Sequence, residues 1–139
     1  MASILKVDAL QGVTAAGSIL VTGEGNSTTT NLQQGLAKAW VNFDGTASGA
    51  TVRDSLNVSS SDDDATGTYG INVTNAFANN DFSVVGTSSV KGSYTDMCIN
   101  DASTDQATTG VNKMQIARSD NQALQDVEYV QMQFCGDLA

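Results

Sequence analysis

The chain has no histidine, no proline, two glutamates, two cysteines and eight aromatic residues in 139 positions. Each shortage closes off some chemistry. Without histidine there is no Ser-His or Cys-His nucleophile pair and no imidazole to ligate a metal. Six Lys and Arg against fifteen Asp and Glu leave a net charge of −9, which repels phosphate backbones and anionic membrane surfaces. Neither nucleic acid nor membrane is therefore expected as a partner. No apolar run approaches the ~18–20 residues that span a bilayer, and the N-terminus lacks the basic-then-apolar pattern of a secretory signal. Folding in the cytosol is the expectation. Cys98 and Cys135 form no CxxC pair. Reduced, buried thiols are the first expectation, with a disulfide as the alternative.

What is present is an alphabet for turns. Thirteen of the fifteen acidic residues are Asp, eleven residues are Asn, and Gly, Ser and Thr are abundant. Asp, Asn, Ser and Thr compete for backbone hydrogen bonds and favour caps and turns over helix interiors. The length is that of one ordinary domain. An all-β fold with many turns is expected.

The first 35 residues differ from the rest. "SILKVDAL" (3–10) and "SILVTG" (18–23) are short apolar stretches separated by "QGVTAAG" and followed by the polar "EGNSTTTNLQQ". Leu5, Val7 and Ala9 alternate with Lys6 and Asp8, as in a half-buried strand. A lone two-stranded ribbon is marginal in water, so these apolar groups require something to pack on. Either they lie on their own domain or they meet another chain. Ile4, Leu5, Val7, Leu10, Val13, Ile19, Leu20 and Val21 are too many to leave in water. Burying half of them contributes on the order of 6–10 kcal/mol before entropy is subtracted. An arm over 1–35 ordered by oligomerisation or docking is the reading that follows, with a β-domain over 36–139.

From residue 35 onward, strand patterns alternate with turn signals. "AKAWVNF" (37–43) ends on Asp44-Gly45. "TVRDSLNVSS" (51–60) places Val52, Leu56 and Val58 on one face, with Asp54 on the same side, either paired with Arg118 or Lys38 or at a strand bend. "TYGINVT" (68–74) alternates Tyr69, Ile71 and Val73 with smaller or polar groups, and the Asp- and Gly-bearing "SDDDATG" (61–67) before it reads as a hairpin tip. "NAFANND" (75–81) breaks the alternation and reads as a helical turn or loop capped by Asn75. "FSVVGTSSV" (82–90), "NKMQIARS" (112–119) and "VEYVQMQFCGDL" (127–138) resume the strand pattern, and "SYTDMCINDASTDQATTG" (93–110) reads as a long polar loop. Six or seven strands over some 105 residues have the spacing of an antiparallel β-sandwich.

Several stretches, in this order, carry a resemblance: "LKVDALQG", "NLQQGLAKAWVNFDG", "VRDSLNVSS", "TYGINVTNAFANNDFSVVGT" and "QMQFCGDL". Together they resemble the small virion appendage and tail-fibre proteins of bacteriophages, especially phages of marine bacteria and cyanobacteria. The chain departs from that pattern in Leu56, where an aromatic is common, and in a longer acidic turn at 61–67. "INVTNAFANNDFSVVG" is also similar in pattern to trimeric H-type lectin-like sandwiches. The resemblance implies a non-enzymatic virion protein assembled in the host bacterial cytoplasm. Its form would be a short homotrimeric tail-fibre-like appendage, attached to other virion proteins by its N-terminal arm and contacting the host surface. A capsid-decorating or head-fibre protein and a carbohydrate-binding receptor-recognition module are the alternatives.

On this reading the oligomer and anchor residues are Ile4, Leu5, Val7, Leu10, Ile19, Leu20, Val21, Trp40 and Phe43. Trp40 and Phe43 fall on opposite strand faces, so one ring fills the core while the other meets a neighbouring chain. Recognition of a host glycan would fall to the polar loop, through Tyr94, Asp96, Asn100 and Asp101. No cofactor is expected. Asp62, Asp63 and Asp64 offer oxygen ligands, and Gly67 stands sixth from Asp62, but Val73 occupies the twelfth position that an EF-hand fills with Glu. A solvated acidic tip is the expectation there, and nothing in the carboxylate spacing selects a catalytic pair.

Overall fold

The structure is a computed structural model that describes residues 6–11, 19–22, 28–32, 35–89, 96–100 and 106–139. The chain divides into two compact units, Met1–Leu36 and Ala37–Ala139.

Among its described residues the first unit contains one antiparallel ribbon, β1 (Leu20–Thr22) with β2 (Thr29–Asn31). Leu32 N donates to Ile19 O at 2.9 Å and extends the pairing by one step. The strand expected over 3–10 is absent from its described part: residues 6–10 have no ladder partner and no regular structure. Alternation alone does not make a strand where no second strand satisfies its backbone.

The second unit is all-β and antiparallel, built as two sheets in the manner of a β-sandwich. One sheet has the order β4-β3-β11-β7, from β4 (Thr51–Leu56), β3 (Ala39–Asp44), β11 (Val130–Cys135) and β7 (Ser83–Ser88). The other has the order β5-β6-β10-β8, from β5 (Val58–Ala65), β6 (Thr68–Val73), β10 (Gly110–Arg118) and β8 (Asp96–Asn100). The two-residue β9 (Gln106–Ala107) pairs with β10. Among the described residues there is no helix, hence none long and apolar enough to cross a membrane.

Period-two alternation builds the core. Ala39, Val41 and Phe43 of β3 and Val130, Met132 and Phe134 of β11 point inward, opposite Tyr69, Ile71 and Val73 of β6 and Val111, Met114 and Ile116 of β10. Val111 and Met114 are out of phase by one residue, and both face inward because β10 carries a bulge between them against β6. Phe43 meets Tyr69 edge-on with ring centroids 5.1 Å apart. Phe77 stacks on Phe82 at 4.1 Å, and both lie beside Phe134. Five of the eight aromatic rings thus sit in this core.

Residues 51–60 are two strands in two different sheets, where the sequence reads as one. Asn57 is the corner between them, with φ of 56°. Asn tolerates the left-handed region better than most residues, and its amide here is fully engaged. Nδ2 donates to Lys38 O and Asn75 O, while Oδ1 accepts from Asn75 N at 2.8 Å. Residues 75–81 form a loop, not a helical turn, held by that contact and by a bridge from Phe77 to Leu138.

The β5–β6 hairpin forms, but its tip is not the acidic run. Asp62, Asp63 and Asp64 lie within β5, and the reversal falls on Thr66 and Gly67, where Gly67 takes φ of 63°. Gly67 N donates to Asp126 Oδ1 at 2.6 Å, and Ile116 N to Gly67 O at 2.8 Å, so the turn is tied to its surroundings.

Candidate functional site

Most of the expected anchor residues of the first unit are exposed. Val7, Leu10, Leu20 and Val21 are 55%, 56%, 57% and 51% accessible, and Ile19 is partly buried. Ile4 and Leu5 lie outside the described residues. Trp40 and Phe43 do occupy opposite faces of β3, with Phe43 completely buried and Trp40 partly exposed. That burial corrects the assignment of Phe43 as an oligomer contact: its ring is consumed by its own core and cannot reach another chain.

The expected receptor loop is also corrected in part. Asp96 and Asn100 stand at the two ends of β8, paired with Arg118 and Met114 of β10, while Tyr94 and Asp101 lie outside the described residues. Cys98, in the middle of that strand, packs against the core beside β7. Burial pushes its thiol up to about 11. Both cysteines are free, so no disulfide joins Cys98 to Cys135.

The acidic run on β5 gathers no metal site. Asp62 Oδ2 accepts from Asn72 Nδ2 at 2.7 Å, and among the described residues no three His, Cys, Asp or Glu groups converge. Asp54 is exposed, and Arg118 pairs with Asp120 at 2.7 Å. The reason Asp54 leaves the apolar side is a bulge at Arg53, which puts Val52 opposite Phe43 but Asp54 opposite Asn42. The same bulge turns Leu56 outward, opposite Trp40, where it is 48% exposed.

Register across the first sheet then brings together residues that are far apart in sequence. Leu56, Trp40, Gln133 and Val85 form one row on its outer face, and Asp54, Asn42, Gln131 and Thr87 form the next. A depression of about 390 Å³ opens between these rows, with Trp40, Asn42, Gln131, Gln133, Val85 and Thr87 presenting to it. A second hollow of about 210 Å³ shares Thr87 and Gln131 and continues to Ser89 and Tyr129. No residue lining either hollow carries a charge.

The polar groups of this surface are lightly committed. Thr87 Oγ1 donates to Gln131 Oε1 at 3.3 Å, and Gln133 Nε2 approaches Cys135 Sγ at 3.6 Å. Asn42 Oδ1 is buried and has no hydrogen-bond partner among the described residues. Such an orphan acceptor is uncommon in a folded protein.

At the far rim the charges are tied together. Arg53 bonds Asp44 Oδ2 at 2.8 Å and Glu128 O at 2.5 Å, and its guanidinium lies 4.1 Å above the Tyr129 ring. The Asp44 carboxyl is held below its usual range, chiefly by the Thr46 hydroxyl that donates to it at 2.7 Å, then by the Thr46 amide, with the Arg53 charge a lesser cause.

Sequence reasoning put Trp40 and Phe43 on opposite faces without deciding which of them faces outward, and missed the companions of Trp40. Gln131 and Gln133 alternate with the core residues of β11 and so are legible as outward-facing. What brings them beside Asn42 and Thr87 is the β3-β11-β7 strand order, which no local pattern encodes. The architecture defines an antiparallel two-sheet, all-β protein. Beyond that class, no protein-family model, curated protein or solved structure matches the chain.

Proposed function

We propose that this chain is a structural, non-enzymatic subunit of a bacteriophage particle: a short homotrimeric, tail-fibre-like appendage anchored through its N-terminal arm. The observation that carries the reading is the state of that arm. Its only ladder among the described residues is a three-residue ribbon, and four of its large apolar side chains are each more than half accessible. A two-stranded ribbon of that length does not hold itself together in water. Covering the accessible half of those four side chains contributes roughly 4 kcal/mol per copy before ordering entropy is subtracted. Sister copies and neighbouring virion proteins supply such cover.

The order of motifs resembling phage appendage proteins supports the setting, and the all-β second unit supports an architectural role. The test is removal of residues 2–34 from the gene in its particle. The truncated protein is expected to be missing from purified particles while its β-domain still unfolds cooperatively on heating. Incorporation at the normal level would remove the arm as anchor.

A further inference from the structure

The outer face of the β4-β3-β11-β7 sheet has features the appendage reading does not use. No charged residue lines its hollow in a chain of net charge −9, and among the described residues Asp54 and the Arg53 cluster stand beside it. Trp40 lines this hollow, and Tyr129 lines the second one, which shares Thr87 and Gln131 with it. Tyr129 stands just before β11, and the Arg53 guanidinium lies 4.1 Å from its ring centroid. Asn42, Gln131, Gln133 and Thr87 line the first hollow beside Trp40.

The geometry points to this groove as a binding site for a neutral saccharide chain. Three physical requirements of that ligand are met. The C–H faces of a sugar ring carry weak positive charge and lie flat on the negative face of an aromatic ring, and the Trp40 indole lines the hollow. Vicinal hydroxyls both donate and accept, and a planar side-chain amide answers with both functions at once. Asn42 retains an acceptor with no partner among the described residues. A neutral ligand also has no anionic group to be repelled by the acidic chain, and it loses nothing in a hollow without a cation. The combined hollows fall at the size of a small-molecule cleft, enough for a few sugar rings.

The inference does not rest on the virion reading, and its test is separate. Trp40 is the only tryptophan, so its fluorescence reports on the groove directly. The full chain is titrated with neutral gluco-, manno-, galacto- and xylo-configured oligosaccharides of six units, and with an oligogalacturonate of the same length. At least one neutral oligosaccharide is expected to shift Trp40 emission saturably, and the uronate is not. In a calorimetric titration Trp40→Ala should weaken that binding at least tenfold, Gln131→Ala at least threefold, and Trp40→Tyr should restore part of it. Asp62→Asn, on the other sheet, should leave it unchanged. Thermal unfolding of each variant separates lost binding from lost fold. The inference is overturned if none of the neutral oligosaccharides moves Trp40, if the uronate binds best, or if Trp40→Ala binds within twofold of the parent. It is overturned equally if Trp40→Ala lowers the native mass, since a second copy would then occupy the face. The arm is intact in that variant, so the binding results leave the anchoring proposal untouched, whereas a lowered native mass would move the subunit contact to this face.

Discussion

Replacing Tyr69 by Phe removes one oxygen from the centre of the β-domain and leaves the ring in place. Tyr69 is completely buried, and its hydroxyl lies 2.9 Å from Gly45 O and 3.1 Å from Asp126 Oδ1. It has one proton to donate, so one acceptor is served at a time. A hydrogen bond to a neutral carbonyl is worth ~0.5–1.5 kcal/mol and one to a carboxylate ~1.5–3 kcal/mol. Asp126 Oδ1 keeps the Gly67 amide at 2.6 Å, which limits the damage. A loss of about 2 kcal/mol at pH 7 follows, equivalent to roughly 6–12 °C in Tm for a domain of this size.

The pH dependence provides a second check. Burial, then the Asp126 charge, hold the Tyr69 phenol well above its ordinary value of 10.0. Below pH 10 both folded and unfolded chains keep the proton, and the native preference is fully present. Above it the unfolded chain ionises while the folded one does not, so Tyr69 costs the folded state stability by up to ~1.4 kcal/mol per pH unit. Tyr69→Phe lacks that loss. Urea unfolding followed by circular dichroism should therefore show the gap between parent and variant narrowing from pH 7 to pH 11. A variant as stable as the parent at pH 7, or a gap that stays constant through pH 11, would refute this account of the hydroxyl.

Other positions give sharper or simpler outcomes. Gly110 has φ of 140° and an added Cβ would overlap the Ile71 carbonyl oxygen, so Gly110→Ala should lower Tm by more than Tyr69→Phe or prevent folding, read by thermal melting. In an NMR titration, Thr46→Val should move the Asp44 carboxyl up toward its ordinary value, and by more than Arg53→Gln does, because the Thr46 hydroxyl is the larger cause. Cys98, its thiol raised to about 11 by burial, should resist iodoacetamide at pH 8 in the folded protein and react at the ordinary rate once urea unfolds it, as mass spectrometry of the peptide would record.

The legible parts of the fold are those where side-chain alternation and burial coincide. β3 and β11 read directly, because Val41 and Phe43, and Met132 and Phe134, alternate with less buried residues; β6 reads from the alternation of Tyr69 and Ile71 with Gly70 and Asn72, although Thr68 and Gly70 are buried too. β8 did not read as a strand, since Asp96 and Asn100 at its ends resemble the turn residues around it; pairing with β10 decides the matter. The Asn57 corner is a backbone property, and nothing distinguishes that Asn from ten others until two sheets meet there. A single bulged residue at Arg53 reverses the facing of everything after it in β4, which is why Leu56 was expected inside and lies outside. Strand count differs through the Asn57 split, the unread β8 and the two-residue β9: six or seven were expected from residue 35 onward, and nine are described.

The candidate site was legible only in its ring. Trp40 stands out in a chain with one tryptophan, and alternation puts it opposite Phe43, but only the burial of Phe43 decides which ring faces outward. The amides beside it depend on long-range register. The glycan contacts expected at Tyr94, Asp96, Asn100 and Asp101 rested on reading residues 93–110 as a loop, and the strand at Asp96–Asn100 takes away half of that argument.

The claim on which the functional reading stands is that the apolar arm is covered by other subunits. Native mass spectrometry of the full chain at micromolar concentration tests it most directly. The account predicts a dominant species at three times the 14.4 kDa subunit mass, lost when Val7, Leu10, Leu20 and Val21 are changed together to Ser. A full chain that remains monomeric at that concentration would contradict it.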